Sequence, residues 1–305
     1  MNTPNQKTVI IICGPTAAGK TYAAISLAKH FHTEIISADS RQCFLELKIG
    51  VARPSESELK EVPHHFIASH SIEDNINAAF FEEFAIQKAG ELFQKHDVIV
   101  MVGGTGLYIK AFCEGLDEIP AVDESVRKTI SKAYEARGLG WLQDQIRAKD
   151  PLFFALGEIQ NPQRMMRALE VVESTGRSIL DFRKNKKAKR EFNIIKLGLE
   201  LSKAELQHNI DSRVDKMIGQ GLVEEVKGLI PYKDLNALQT VGYSEIFDHL
   251  DGKTSLDDAI EEIKKNTRQY AKRQMTWFNK DKEIKWFSPK HGSETIDYVA
   301  GRIRS

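Results

Sequence analysis

The strongest restriction on how this chain folds comes from eight residues, Gly14, Pro15, Thr16, Ala17, Ala18, Gly19, Lys20 and Thr21. They fit the pattern G-x-x-x-x-G-K-[ST], and they stand where that pattern works, after an apolar, β-branched run (TVIIIC) and before a helical stretch (TYAAISLAKHF). Glycines at the two fixed positions let the backbone curl so that successive N–H groups face phosphate oxygens at the start of a helix. Lys20 adds a point charge, and the Thr21 hydroxyl is the candidate Mg²⁺ ligand. A phosphorylated ligand is therefore expected, although the loop does not choose the reaction.

Residues 7–14, 34–39 and 97–103 are short and nearly continuously apolar, as strands buried on both faces of a parallel sheet are. Ala24, Leu27, Ala28 and Phe31 recur at helical spacing between the first two, which predicts a strand–helix–strand unit with a right-handed crossover. Further strands are expected at 192–199 and 283–287. From about 116 to 185 only helical signals appear, among them NPQRMMRALEVVESTG, with Asn161 as N-cap, Pro162 at the first helical position and Gly176 past the end. The expected fold is α/β: a P-loop NTPase-like parallel sheet flanked by helices, residues 1–115 and 186–305, with an all-helical subdomain inserted at 116–185.

Lys plus Arg and Asp plus Glu each number 43, so overall charge gives no argument for a nucleic-acid partner. Local clusters do: Arg183, Lys184, Lys186, Lys187, Lys189 and Arg190, and later Lys264, Lys265, Arg268, Lys272 and Arg273. In the segment 260–278, Ile260, Ile263, Thr267, Tyr270, Gln274 and Trp277 form the expected packing face, leaving Lys264, Arg268 and Lys272 as a ridge for a phosphate backbone. No apolar run approaches a membrane span and MNTPNQK has no signal-peptide pattern, so a cytoplasmic protein with no membrane partner is expected. Cys13, Cys43 and Cys113 lack CxxC spacing and read as reduced and structural. Pro63-His64-His65 lacks a third ligand at useful spacing and is not read as a metal site.

The second strand ends in Ser37-Ala38-Asp39-Ser40-Arg41-Gln42, which puts a carboxylate at the edge of the sheet where ligands of such folds bind. Asp39 is the candidate base or magnesium partner, against the plainer reading of a turn-forming Asx residue. The third strand runs into Val102-Gly103-Gly104-Thr105-Gly106, where small residues allow close backbone approach and Thr105 offers a hydroxyl.

In order along the chain, GPTAAGKT, ISADSRQ, PHH, VGGTGLYIKA, NPQRMMRALEV, GLVEEV, VGYSEI and TRQYAKRQMTWF resemble the tRNA dimethylallyltransferase family, in its bacterial type, over essentially the whole length. The resemblance implies transfer of a dimethylallyl group from dimethylallyl diphosphate to N6 of adenosine 37 beside the anticodon, with Mg²⁺ as cofactor and diphosphate as leaving group. It implies that Asp39 is the general base, with Thr105 hydrogen-bonded near the same amine, and that Arg213 joins the phosphate loop in binding diphosphate. Recognition of the tRNA anticodon stem-loop falls by the same resemblance to Asp39, Ser40, Arg41 and Gln42, to Thr105 and Arg127, and to Gln163, Arg164, Met165, Met166 and Arg167. Arg268, Lys272 and Arg273 are expected to hold the stem's phosphates, and the enzyme is expected to be a monomer. Two departures stand out: Cys43-Phe44-Leu45-Glu46-Leu47 where the family continues with Val-Tyr and a glycine-rich turn, and Val51 in place of a usual threonine. The rival readings are a small-metabolite kinase using ATP at the phosphate loop, and a non-catalytic, nucleotide-sensing RNA-binding protein.

Overall fold

A computed structural model describes residues 7–184, 186–290 and 292–304; the leading MNTPNQ, read above for targeting signals, lies outside them. The chain divides into two compact units, one of residues 1–113 with 189–305 and one of residues 114–188.

The larger unit is built on six strands: β1 (Thr8–Cys13), β2 (Ile35–Ser37), β3 (His64–His65), β4 (Val98–Val102), β5 (Asn193–Leu199) and β6 (Lys285–Phe287). They form one sheet in the order β3-β2-β4-β1-β5-β6, and every pairing is parallel. β1 is buried at all six positions, and its alternate side chains enter two different cores. Val9, Ile11 and Cys13 pack with Phe81, Phe112 and Met101 on one face. Ile10 and Ile12 pack on the other with Ala24, Leu27 and Ala28 of the helix Lys20–His30. A strand covered on both sides needs no polar alternation, which is why its sequence is uniformly apolar. Each fully buried Ile contributes about 2 kcal/mol, an upper figure because the unfolded chain is itself partly compact.

The strands are shorter than the apolar runs suggested, and the residues shed at their carboxyl ends, Gly14, Asp39 and Gly103, are those that turn out to build a site. β3 was not anticipated. Its two histidines pair with Ile35 and Ile36, and His65 Nε2 lies 2.7 Å from Glu34 Oε2, so PHH forms a sheet edge. Among the described residues no cluster of His, Cys, Asp and Glu could hold a metal, and no helix is long and apolar enough to cross a membrane. All three cysteines are buried, and none is in a disulfide.

The smaller unit consists of the helices Glu124–Lys149, Pro151–Leu156 and Pro162–Thr175 with a short 3₁₀ turn, Ile179–Phe182. Gly138 breaks the first of these with φ 74°. Asn161 Oδ1 accepts the Arg164 N–H at 3.2 Å, and Gly176 closes the same helix with φ 69°, as the sequence predicts. Ile130, Leu142, Ile146, Phe153, Met165 and Leu169 make its core.

Candidate active site

Three carboxyl-end turns of the sheet converge. The first is the phosphate loop, where Gly14 (φ 137°), Ala17 (φ 63°) and Gly19 (φ 82°) supply the curl. At Gly14 a side chain is excluded outright, because a Cβ would stand 2.6 Å from the Leu199 carbonyl oxygen. The loop is tied down from outside. Gln274, almost wholly buried on the helix Leu256–Phe278, accepts the Thr16 N–H at 2.8 Å and donates to the Gly104 carbonyl at 2.9 Å. Asn209 donates to the Ala17 carbonyl at 3.1 Å, and Arg213 to the Thr16 hydroxyl at 3.1 Å. Lys20 turns back to donate to the Pro15 carbonyl at 2.7 Å.

The second turn carries Asp39. Its Oδ1 accepts the N–H groups of Arg41 (2.9 Å) and Gln42 (3.2 Å), so the carboxylate does form the Asx-type turn, and it still faces the cleft. The third turn abuts the second so closely that a Cβ on Gly103 would lie 2.1 Å from the Ala38 carbonyl oxygen. Thr105 ties the two together: its hydroxyl accepts the Ser40 N–H at 3.1 Å and donates to the Ser40 hydroxyl at 3.3 Å. In this arrangement Thr105 braces the Asp39 turn.

The phosphate-loop residues from Thr16 onward, Asp39, Gln42, the segment 51–54, Gly103, Gly104 and Arg213 line a cleft of about 310 Å³. A second recess of about 570 Å³ adjoins it and shares Thr16, Asp39, Val51, Ala52, Arg213 and Tyr270. The second recess adds Ser40, Arg41, Arg273 and the apolar Val214, Met217, Val241 and Ile263. Asp39 thus lies on the walls of both.

Electrostatics follow from crowding of cations. Although the Lys20 side chain is only partly buried, desolvation of its ammonium, reinforced by Arg213, pulls its pKa down to about 8 against the opposing pull of Asp39. Burial likewise lowers the pKa of Arg213, and that of Arg41 despite Asp39. A site short of anions and rich in N–H donors and strained cations favours a polyanionic ligand. Thr21 and Asp39 line the same cleft without a surrounding acid cluster. Such a donor set fits Mg²⁺ that arrives largely coordinated by phosphate oxygens of its ligand.

Other expected site residues are placed differently. Met165 and Met166 belong to the core of the smaller unit, 0% and 9% exposed, so they hold their helix and offer RNA no surface. Gln163 and Arg164 are exposed, with Arg164 paired to Glu158. Arg127 and Arg167 both engage Glu170, at 3.3 and 3.1 Å. On the helix Leu256–Phe278 the buried face is Ala259, Ile263, Ala271, Gln274 and Phe278, which turns Tyr270 into the cleft. Arg268 pairs with Asp211 at 2.6 Å and Lys264 with Asp215 at 2.9 Å, so the basic ridge is partly neutralised. Lys272 and Arg273 remain exposed. Arg190, from the other basic run, is drawn inward to Glu82 and to the carbonyls of Ala111 and Phe112.

Gln274, Asn209 and Glu225 acquire roles that sequence reasoning missed. Each is a polar residue within a helix whose partner lies 170 or more positions away. Helical spacing put Gln274 on a packing face, and the ordered motif blocks include both Gln274 and Glu225, but neither signal gives the partner.

Comparison with known proteins gives one consistent family. A family model described as IPP transferase matches residues 42–281. Curated relatives called tRNA dimethylallyltransferase include one from Christiangramia forsetii, 50% identical over 97% of this chain and 99% of its own. Another, from Cytophaga hutchinsonii, is 45% identical over 98% of both chains. Among solved structures, the full-length tRNA isopentenylpyrophosphate transferase of Bacillus halodurans superposes with a TM-score of 0.72 at 33% identity, covering 98% of this chain and 97% of that one. A eukaryotic dimethylallyltransferase described as acting on tRNA gives a TM-score of 0.75 at 26% identity, over 92% of this chain and 74% of its own.

Proposed function

The chain belongs to the IPP transferase family of tRNA dimethylallyltransferases, and from that premise we propose that it transfers a dimethylallyl group from dimethylallyl diphosphate to N6 of adenosine 37 in transfer RNA. The observation that carries this reading is the position of Asp39 on the walls of two adjoining cavities. One cavity has the phosphate-binding groups; the other has apolar walls and Arg41, suited to a base taken out of its stack.

The diphosphate is held by the N–H groups of the phosphate loop, Lys20 and Arg213, with Val51 and Ile67 beside it as apolar surface for the five-carbon tail. The exocyclic amine of adenine is a weak nucleophile, since its lone pair is shared with the ring. Its nitrogen bonds to the donor's first carbon as the carbon–oxygen bond breaks and the electron pair leaves with diphosphate. Asp39 takes the proton that the nitrogen sheds. Thr21 would hold Mg²⁺ brought in with the donor, and the ion would supply further charge neutralisation for the leaving group. Arg273 and Lys272 supply phosphate contacts that position RNA without reading its sequence, and Arg127, Gln163 and Arg164 are the exposed members of the contact set on the smaller unit.

Incubating the protein with dimethylallyl diphosphate and unmodified tRNA, then analysing nucleosides by mass, should give one prenylated adenosine. Labelled ATP should label no acceptor in the same tubes. Phosphorylated product, or no prenylated nucleoside in a single turnover, would refute the assignment.

The Lys20 pKa gives a further expectation. In the free enzyme the ammonium is present below about pH 8 and is lost above it, whereas bound diphosphate holds the proton to higher pH. Donor binding then takes up a proton above that point. The dissociation constant should rise with pH by up to about tenfold per unit there, as one linked proton requires. Calorimetric titration of donor should show this, and a flat profile through that window would remove Lys20 from the diphosphate contact.

A further inference from the structure

Glu225, on the helix Leu222–Gly228, has a carboxylate that gathers four donors. The N–H groups of Lys48 (3.3 Å), Ile49 (2.8 Å) and Gly50 (3.0 Å) converge on it, and the Tyr243 hydroxyl joins them at 2.6 Å. Tyr243 is completely buried, and its burial beside Glu225 drives the phenol pKa far upward, so it stays a donor. Its ring also fills the space over Gly50, where a Cβ would stand 2.5 Å from a ring carbon. No other residue type fits at position 50 without displacing the ring.

Beyond Gly50 the chain closes a tight loop. Ala52 N–H reaches the Ile49 carbonyl (2.9 Å), Arg53 N–H reaches that of Lys48 (3.1 Å), and Ala52 sits at φ 48°. The loop's next two carbonyls, of Val51 and Ala52, both accept from Gln42 Nε2, at 3.1 and 3.0 Å. Gln42 in turn gives its backbone N–H to Asp39 Oδ1. Hydrogen bonds joined by short covalent stretches, the backbone of the 48–52 loop and the side chain of Gln42, thus lead from Glu225 to the carboxylate at the junction of the two cavities. The phosphate loop is moored separately, by Gln274, Asn209 and Arg213.

We propose that Glu225 is a positioning residue: with Tyr243 it fixes the 48–53 loop, and through Gln42 that loop aims Asp39 for proton transfer. The proposal rests on the assigned reaction, and it separates two quantities that a merely structural role would not. Misplacing the base by a fraction of an ångström lowers turnover, whereas the diphosphate grip, moored elsewhere, is spared, and of the donor contacts named above only the apolar one at Val51 belongs to this loop.

The test uses the full chain carrying Glu225→Gln or Tyr243→Phe, with anticodon stem-loop RNA and dimethylallyl diphosphate. Glu225→Gln keeps the volume but turns an amide N–H₂ toward N–H groups. Its kcat should fall about 100-fold, with donor KM within about threefold and faster amide exchange at residues 48–50. Tyr243→Phe removes one donor, keeps the ring and should shift kcat the same way by about tenfold. It carries the test if Glu225→Gln does not fold. Unchanged kcat alongside accelerated exchange, or donor KM rising in step with the fall in kcat, would overturn the proposal. If the wild-type enzyme transfers no prenyl group, the assigned function fails instead; amide exchange then decides the clamp alone, and unaltered protection of residues 48–50 in Glu225→Gln would reject it.

Discussion

Replacing Asp39 with Asn should lower kcat by about 10³-fold, within the range of general-base contributions, while donor and tRNA affinities change little. The substitution is chosen for what it preserves. Asn retains Oδ1, the atom that accepts the Arg41 and Gln42 N–H groups, so the turn that shapes the cavity junction survives. What is lost is the charge and the ability to accept a proton. Asp39→Ala removes both functions, and its kcat should be no more than a few-fold lower than that of Asp39→Asn. A much larger gap between the two would mean that Asp39 acts chiefly as a turn former. Turnover in Asp39→Asn within a few-fold of wild type would exclude proton acceptance by this residue.

The Asp39 turn also shows which features a sequence makes legible. The phosphate loop and the Asp39 turn were legible because their chemistry is local: glycine spacing, a strand before and a helix after are properties of short windows. β1, β2 and β4 were legible because burial on both faces leaves an unbroken apolar run. β3 was not, since two histidines carry no apolar signal and become a strand only by pairing with Ile35 and Ile36. Contacts made across the chain were hidden for the same reason. Arg268 reads as a free cation until Asp211, 57 positions earlier, is found against it. Met165 stands in a motif block, yet its side chain is core. Thr105 was placed at the right edge, but its hydroxyl meets Ser40, and no window of sequence reveals which way it turns. Motif order located the site; the wiring behind it, Glu225 to Gln42 and Gln274 to Thr16, needed three dimensions.

Lys20→Met should separate activity from stability by sign. In the native protein the Lys20 ammonium is desolvated and crowded by Arg213, and its pKa of about 8 lies well below the ordinary 10.5. Between those two values the unfolded chain binds the proton that the folded chain has released, so the stability of the wild type should rise with pH across that window. At neutral pH the folded protein carries the full cost of keeping the charge in place. Methionine fills a similar volume without a charge, so the variant should melt no lower than wild type, and this pH-dependent gain in stability should disappear. Turnover should move the other way. Removing one preorganised donor from a developing anion costs about 10² to 10³ in rate, and here the anion is the leaving diphosphate. Donor KM should rise as well, because the same charge meets the ground-state diphosphate. Calorimetric melting and steady-state transfer on one preparation decide the matter: a variant that loses stability and activity together would show that Lys20 is needed for its bond to the Pro15 carbonyl and the shape of the loop, and would refute the view that its charge is held, at a cost to the fold, for the leaving group.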